Sequence, residues 1–256
     1  MNRVRTPLVL VAAAALFSLL VWGLGDLPGV GEYAGPYGDV IIRAARNERH
    51  VLNAVAAVNF DYRGFDTLGE EFIFFASVIG VALLLRDENE DQRASTRRLL
   101  PRSTNDPRRW MPAEPVSLVS LPAVGALLVF GGYIVLQGHL SPGGGFQGGI
   151  VISAVALLVA LSGGAAALYR TLPLAVLEFV EALGIGSYLA IGFCGVAAGR
   201  PYLTNVLPLG ETGNLLSSGT IWAINFGVGV AVAAGFMLLT IEFVEPLHRA
   251  RYRRHQ

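Results

Sequence analysis

The sequence predicts an all-α integral membrane protein of about six transmembrane helices with both termini cytoplasmic, and three observations carry this. Hydrophobic residues make up 53% of the 256 positions and charged residues 15%, against roughly 25% charged in a typical soluble domain. The apolar residues gather into six stretches of about the length, roughly 20 residues, that a bilayer-spanning helix needs. The arginines fall unevenly between those stretches. If both ends lie inside, fourteen arginines are cytoplasmic and five external, as the positive-inside rule requires.

The first span is expected from Pro7 to Leu24. Arg3 and Arg5 precede it as in a signal peptide, but no A-x-A-like site follows Leu24-Gly25-Asp26, so an uncleaved span is expected. From Val40 to Phe60, Arg43, Arg46, Asn47, Glu48 and Arg49 precede an apolar run, which reads as a helix resting at the outer interface or dipping into it. The second span covers Thr67–Leu85 and the third Val116–Leu136. The fourth runs from about Phe146 to near Leu161, the fifth covers Leu172–Ala198, and the sixth Thr220–Val244. Residues 86–114 are polar, of mixed charge, and contain Pro101, Pro107 and Pro112, a composition of linkers rather than packed helices. Three parts follow: a two-span part with its interfacial helix (1–85), a cytoplasmic linker (86–114) and a four-span part (115–256).

Composition also excludes function classes. Net charge is zero, so nothing points to nucleic acid. All 19 basic residues are arginine, as a GC-rich genome would favour. Without lysine there is neither a phosphate-binding P-loop nor a lysine Schiff base. Cys194 is the one cysteine and lies in the fifth span, so it reads as a small apolar residue. No Cys-rich or haem-binding pattern is present, so no cofactor and no metal are expected.

The most informative segment is Gly138-His139-Leu140-Ser141-Pro142-Gly143-Gly144-Gly145-Phe146-Gln147-Gly148-Gly149, in which six of twelve residues are glycine. It joins two membrane-length apolar runs, where irregular backbone persists only if packed in protein or lining a polar cavity. Pro142 lacks an N–H and disfavours helix at Ser141, so the third span should end before it. Gly143 to Gly145 can take positive φ or approach another backbone closely, and Gln147 carries an amide able to satisfy freed backbone groups or a bound water. The segment is expected to be an ordered, protein-packed helix break. His139 reads either as a helix-end cap or as a proton carrier.

Carboxylates near or within spans are the remaining candidates for chemistry. Glu70 and Glu71 stand about 100° apart at the entrance to the second span, so one can face the bundle and the other water. They fit either a proton relay or an ordinary acidic helix start. Glu178 and Glu181, three apart, share a face of the fifth span and fit either a wet interior or an interfacial pair with Arg170. Glu242 and Glu245 are expected at the surface. Glycines such as Gly184, Gly192, Gly227 and Gly235 permit close helix approach, as suits a subunit packed among other membrane helices.

The run from Gly138 to Gly149 resembles the signature of the MnhB subunits of Mrp-type multisubunit Na+/H+ antiporters, a four-span domain. Asn53 to Glu71, N-A-V-A-A-V-N-F-D-Y-R-G-F-D-T-L-G-E-E, resembles the C-terminal end of the large MrpA-type subunit and the small MbhE-like subunit of membrane-bound hydrogenases. The resemblance implies a multi-pass subunit of a bacterial or archaeal cell membrane, assembled with A-, C-, D-, E-, F- and G-type subunits. Such a complex exchanges cytoplasmic Na+ for external protons using the proton motive force. The large subunits of that family carry intramembrane lysines for proton transfer, and this lysine-free chain cannot house that relay. What it could add is helix packing and carboxylates bordering an ion route: Asp66, Glu70, Glu71, Glu178 and Glu181, with His139. Two alternatives stand beside this, a membrane-arm subunit of a redox-driven complex and a purely structural scaffold.

Overall fold

The computed structural model describes residues 2–25, 36–85 and 114–253; the predicted linker lies outside these residues except for Glu114. Two compact units are distinguished, Met1–Val40 and Ile41–Gln256. Among the described residues the secondary structure is entirely helical: α1 (Asn2–Gly25), α2 (Pro36–Arg49), α3 (Ala54–Ala57), a π-helical turn (Val58–Tyr62), α4 (Gly64–Leu85), α5 (Glu114–Leu136), α6 (Gly145–Thr171), α7 (Leu174–Ala197) and α8 (Thr220–Arg253). Six of them, α1 and α4 to α8, are long and apolar enough to cross a bilayer.

In the first unit, α1 has a mean hydropathy of 2.4 over Pro7–Gly25, and its apolarity is spread around the whole helix. In the second, α8 is the pillar. Of its spanning window 72% is buried, against 28% for α6 and for α7, because α4, α6 and α7 all pack on it. One half of its buried stripe (Ile221, Ile224, Val228, Val232) meets Phe60, Leu68, Tyr188 and Leu203. The other half (Leu238, Ile241) meets Val78, Val155, Leu168 and Leu177. A stripe buried along its whole length carries small residues wherever a neighbouring backbone crosses.

Two boundaries differ from expectation. The fourth span continues through Leu161 to Thr171. Gly164 adopts a non-helical φ of 65° and ψ of −171°, so α6 is two helical segments joined by a kink there. The expected interfacial helix over Val40–Phe60 is divided. α2 ends at Arg49, His50 turns the chain at φ 55°, and α3 restarts with Asn53 as N-cap, its side chain accepting from the Val55 N–H. The loop between α7 and α8 is tied back by side chains: Asn205 Oδ1 accepts from the Thr220 N–H at 2.9 Å, and Ser218 Oγ donates to His50 O at 3.0 Å.

Candidate functional site

The glycine segment is an ordered break held from two sides. α5 ends at Leu136 and α6 begins at Gly145, with Gly143 and Gly144 at φ 144° and 150°, a region open to glycine and rarely to other residues. From α8, the buried side chain of Asn225 spans the gap. Its Nδ2 donates to Val135 O at 2.6 Å and its Oδ1 accepts from the Gly145 N–H at 2.7 Å. One amide thereby satisfies a carbonyl at the end of one helix and an orphan N–H at the start of the next. From the other side Asn53 Nδ2 donates to Gly138 O at 2.7 Å and to Ser141 O at 3.0 Å. The Leu52 and Asn53 N–H groups both donate to His139 O. The element preceding α4 therefore grips the break directly.

This corrects the role expected of Gln147. Its side chain is exposed, and the freed backbone groups are satisfied by Asn225 and Asn53, residues distant in sequence. The neighbouring glycines are sites of backbone approach. A Cβ at Gly145 would collide with Asn225 O and come within 2.7 Å of Gly229 N, and one at Gly148 would lie 2.7 Å from Gly131 O. Gly149 faces Gly229 in the same way, at 2.9 Å from its carbonyl oxygen. Phe146 turns outward from the break and packs edge-on against Phe74 and Phe236, while Pro142 is exposed.

His139 is fully buried. Its Nε2 lies 3.4 Å from Asn214 O, and Nδ1 is buried without a hydrogen-bond partner. Burial lowers its pKa from the ordinary histidine value, opposed in part by the bond to Asn214 O. The ring is therefore held neutral, in the position of a packed end to α5.

The carboxylates divide sharply. Asp66 is half exposed and ion-paired within its own turn to Arg63, whose Nε lies 2.6 Å from Oδ2. Glu70 and Glu178 are exposed. Glu71 and Glu181 are buried, 3% and 2% exposed, on the faces of α4 and α7 that meet α8. Thus of each candidate pair one member turns inward. Glu242, expected at the surface, is buried at 2%, seven residues beyond Gly235 on the same stripe of α8; that spacing was the available signal. The side chain of Glu245 lies outside the described residues. Cys194 is exposed.

Another polar cluster had no sequence signal. Arg49, at the end of α2, places Nε 2.8 Å from Asp61 Oδ2 and its guanidinium 5.5 Å from the centre of the Tyr62 ring. Burial alone would lower the Arg49 pKa, but Asp61 outweighs it and holds the group above its ordinary value. Burial raises the Tyr62 hydroxyl, opposed by Arg49. The π-helical turn Val58–Tyr62 brings Asp61 round to this partner, a common use of such turns.

Comparison with known proteins places the break inside a known domain. Residues 115–238 match the family described as "Domain related to MnhB subunit of Na+/H+ antiporter". The B-type Na(+)/H(+) antiporter subunit of Alkalihalophilus pseudofirmus is 30% identical over 117 residues, 45% of this chain and 79% of that protein. The fold is similar to a chain of the membrane-bound sulfane sulfur reductase, an archaeal respiratory membrane complex, with TM-score 0.70 and 27% identity over 94% of this chain and 98% of that one. It is also similar to a chain of the Mrp complex from Dietzia sp. DQ12-45-1b, with TM-score 0.68 and 21% identity over 95% of this chain and 26% of that one. With its glycine break, its four-span bundle and these relatives, the chain belongs to the family of MnhB-related subunits of Na+/H+ antiporters.

Proposed function

We propose that the chain is an accessory membrane subunit of an Mrp-type multisubunit cation/proton antiporter, a transporter subunit rather than an enzyme. It is a multi-pass protein of a prokaryotic cell membrane and works among other Mrp-type subunits, with Na+ and H+ moved by the whole complex under the proton motive force. The observation that carries this reading is the match of residues 115–238 to the MnhB-related family, because that stretch contains the break and the Asn225 that spans it. The N-terminal 85 residues form an element like the MrpA tail, tethered through residues 86–114 to the MnhB-type domain, and both termini are cytoplasmic. The fusion is supported by the Dietzia Mrp chain, in which a likeness to 95% of this chain occupies 26% of one longer polypeptide.

Within the complex, this subunit supplies packing surfaces and carboxylates bordering an ion route, Asp66, Glu70 and Glu178 at its edges and Glu71 and Glu181 inside. A second reading, a membrane-arm subunit of a redox-driven complex, is favoured by the likeness to nearly the full length of a chain from the sulfane sulfur reductase. Deleting the gene and assaying Na+/H+ exchange in everted vesicles tests the first reading. Loss of exchange, restored by the plasmid-borne chain, is expected. Normal exchange, with the chain co-purifying instead with iron–sulfur subunits, would establish the second.

A further inference from the structure

Glu181 of α7 and Phe74 of α4 converge on one spot of α8. A Cβ added at Gly235 would lie 2.6 Å from Glu181 Oε1 and 2.6 Å from the Phe74 ring, and Phe74 stands one turn beyond Glu71 on the same face. Glycine at 235 is what lets a carboxylate and an aromatic ring both lie on the α8 backbone. Glu71 Oε2 and Glu181 Oε1 are buried with no hydrogen-bond partner.

Among the described residues, the charges whose fields reach the pair are all acidic: Glu70 and Glu181 act on Glu71, and Glu178 acts on Glu181. On α7, two turns beyond Glu181, Tyr188 donates its hydroxyl hydrogen to Gly64 O at 2.7 Å, so that hydrogen is committed elsewhere. Tyr202, beside Tyr188, is neutral. On α8 the next acidic group is buried Glu242. Two neighbouring carboxylates removed from water cannot both stay ionised without a compensating positive charge. Either a metal cation or a proton must supply it. A cation that sheds its water needs a ring of oxygens. Here one wall is aromatic, with Phe74 4.9 Å from Phe236 and 6.2 Å from Phe146, centre to centre.

We propose that Glu71 and Glu181 form a proton-carrying pair. At least one of the two carboxyls holds a proton at neutral pH. The use of that proton in exchange rests on the antiporter-subunit reading, whereas its presence does not.

The test uses membranes containing the intact complex. Dicyclohexylcarbodiimide, an apolar reagent that attacks protonated carboxyls shielded from water, is applied at neutral pH, and the labelled chain is mapped by mass spectrometry. In parallel, the purified complex is examined by infrared spectroscopy for the carbonyl stretch of a protonated carboxyl. The expected result is label at Glu71 or Glu181, unaffected when sodium chloride replaces choline chloride, and an infrared band lost in Glu71→Gln or Glu181→Gln complexes that still assemble. If those variants do not assemble, the sodium-independence of wild-type labelling decides. Protection by sodium would overturn the proposal in favour of a cation site. Absence of both label and band would overturn it in favour of two ionised carboxylates. A wild-type complex that carries the label but exchanges no Na+ would sink the antiporter reading alone.

Discussion

Asn225 of α8 holds the first amide of α6: its Oδ1 accepts from the Gly145 N–H at 2.7 Å while its Nδ2 donates to Val135 O at 2.6 Å. Backbone groups buried away from water must be paired within the protein. Here a single side chain pairs such groups of both interrupted helices, and α8 thereby fixes how far α5 and α6 can separate. Asn53 performs the matching task from the opposite side.

Removing that side chain should be costly. Asn225→Ala leaves the Gly145 N–H buried and unpaired, at roughly 1–3 kcal/mol, and leaves the Val135 carbonyl only its 3.4 Å bond from the Gly138 N–H. Asn225→Asp retains the acceptor for Gly145 but sets an oxygen against the Val135 carbonyl, so it should also be less stable than wild type. Melting temperatures of the detergent-solubilised chain, followed by fluorescence-detected gel filtration, measure the order. An Asn225→Ala protein as stable as wild type would show that the break has other partners.

Glycine substitutions should divide by what lies in front of each Cα. At Gly145 the obstacles are backbone atoms of Asn225 and Gly229, which cannot swing aside. Gly145→Val should therefore cost more than the roughly 1–3 kcal/mol of ordinary overpacking and abolish assembly. Gly132, on α5, has nothing within 4 Å of a built Cβ, so Gly132→Ala should be neutral. Co-purification of neighbouring subunits scores both, and a fully assembled Gly145→Val complex would contradict the packed geometry.

How much of this is legible in the chain depends on how local the signal is. Spans are readable because a bilayer fixes length and apolarity together, and the sixth is expected at Thr220–Val244, as the structure has it. The fourth is expected to end near Leu161, whereas helical structure resumes beyond the non-helical Gly164 and carries α6 to Thr171. At Glu70-Glu71 the helical period says that one side chain faces inward; which one depends on where α8 lies, and that is a tertiary fact. Gln147 suggests itself for the capping task because it is near in sequence, yet Asn225 performs it from 80 residues away. Arg49 and Asp61 are joined only by the irregular turn between α2 and α4, for which no periodicity exists.

That ion pair makes its own prediction. Arg49 is 31% exposed and Asp61 10%, so the pair sits between the surface and buried regimes. Asp61→Asn should cost about 1–3 kcal/mol, less than the roughly 3–5 kcal/mol of a fully buried pair, because solvent still reaches Arg49. Arg49→Lys should recover little, since an ammonium loses both the Nε geometry and the stacking on Tyr62. Urea or thermal unfolding of the two variants measures this, and an unchanged transition for Asp61→Asn would mean the pair is fully solvated.

His139 yields a pH dependence whose sign follows from its burial. Its pKa in the folded protein lies below the ordinary value of 6.5, so the unfolded chain binds the proton more readily. Above about 6.5 both states are neutral at this residue and it adds no pH dependence. As pH falls from there toward the folded value, the unfolded state gains protons first, and stability declines. The decline ends once the pH is below both values. His139→Gln keeps a donor for Asn214 O and removes the titration, so its acid limb should be shallower than that of wild type below about pH 6.5. Melting temperature against pH for the two proteins tests this. Parallel acid limbs would mean that the ring titrates as it does in the unfolded chain, and that Asn214 and the turn above it do not seal it from water.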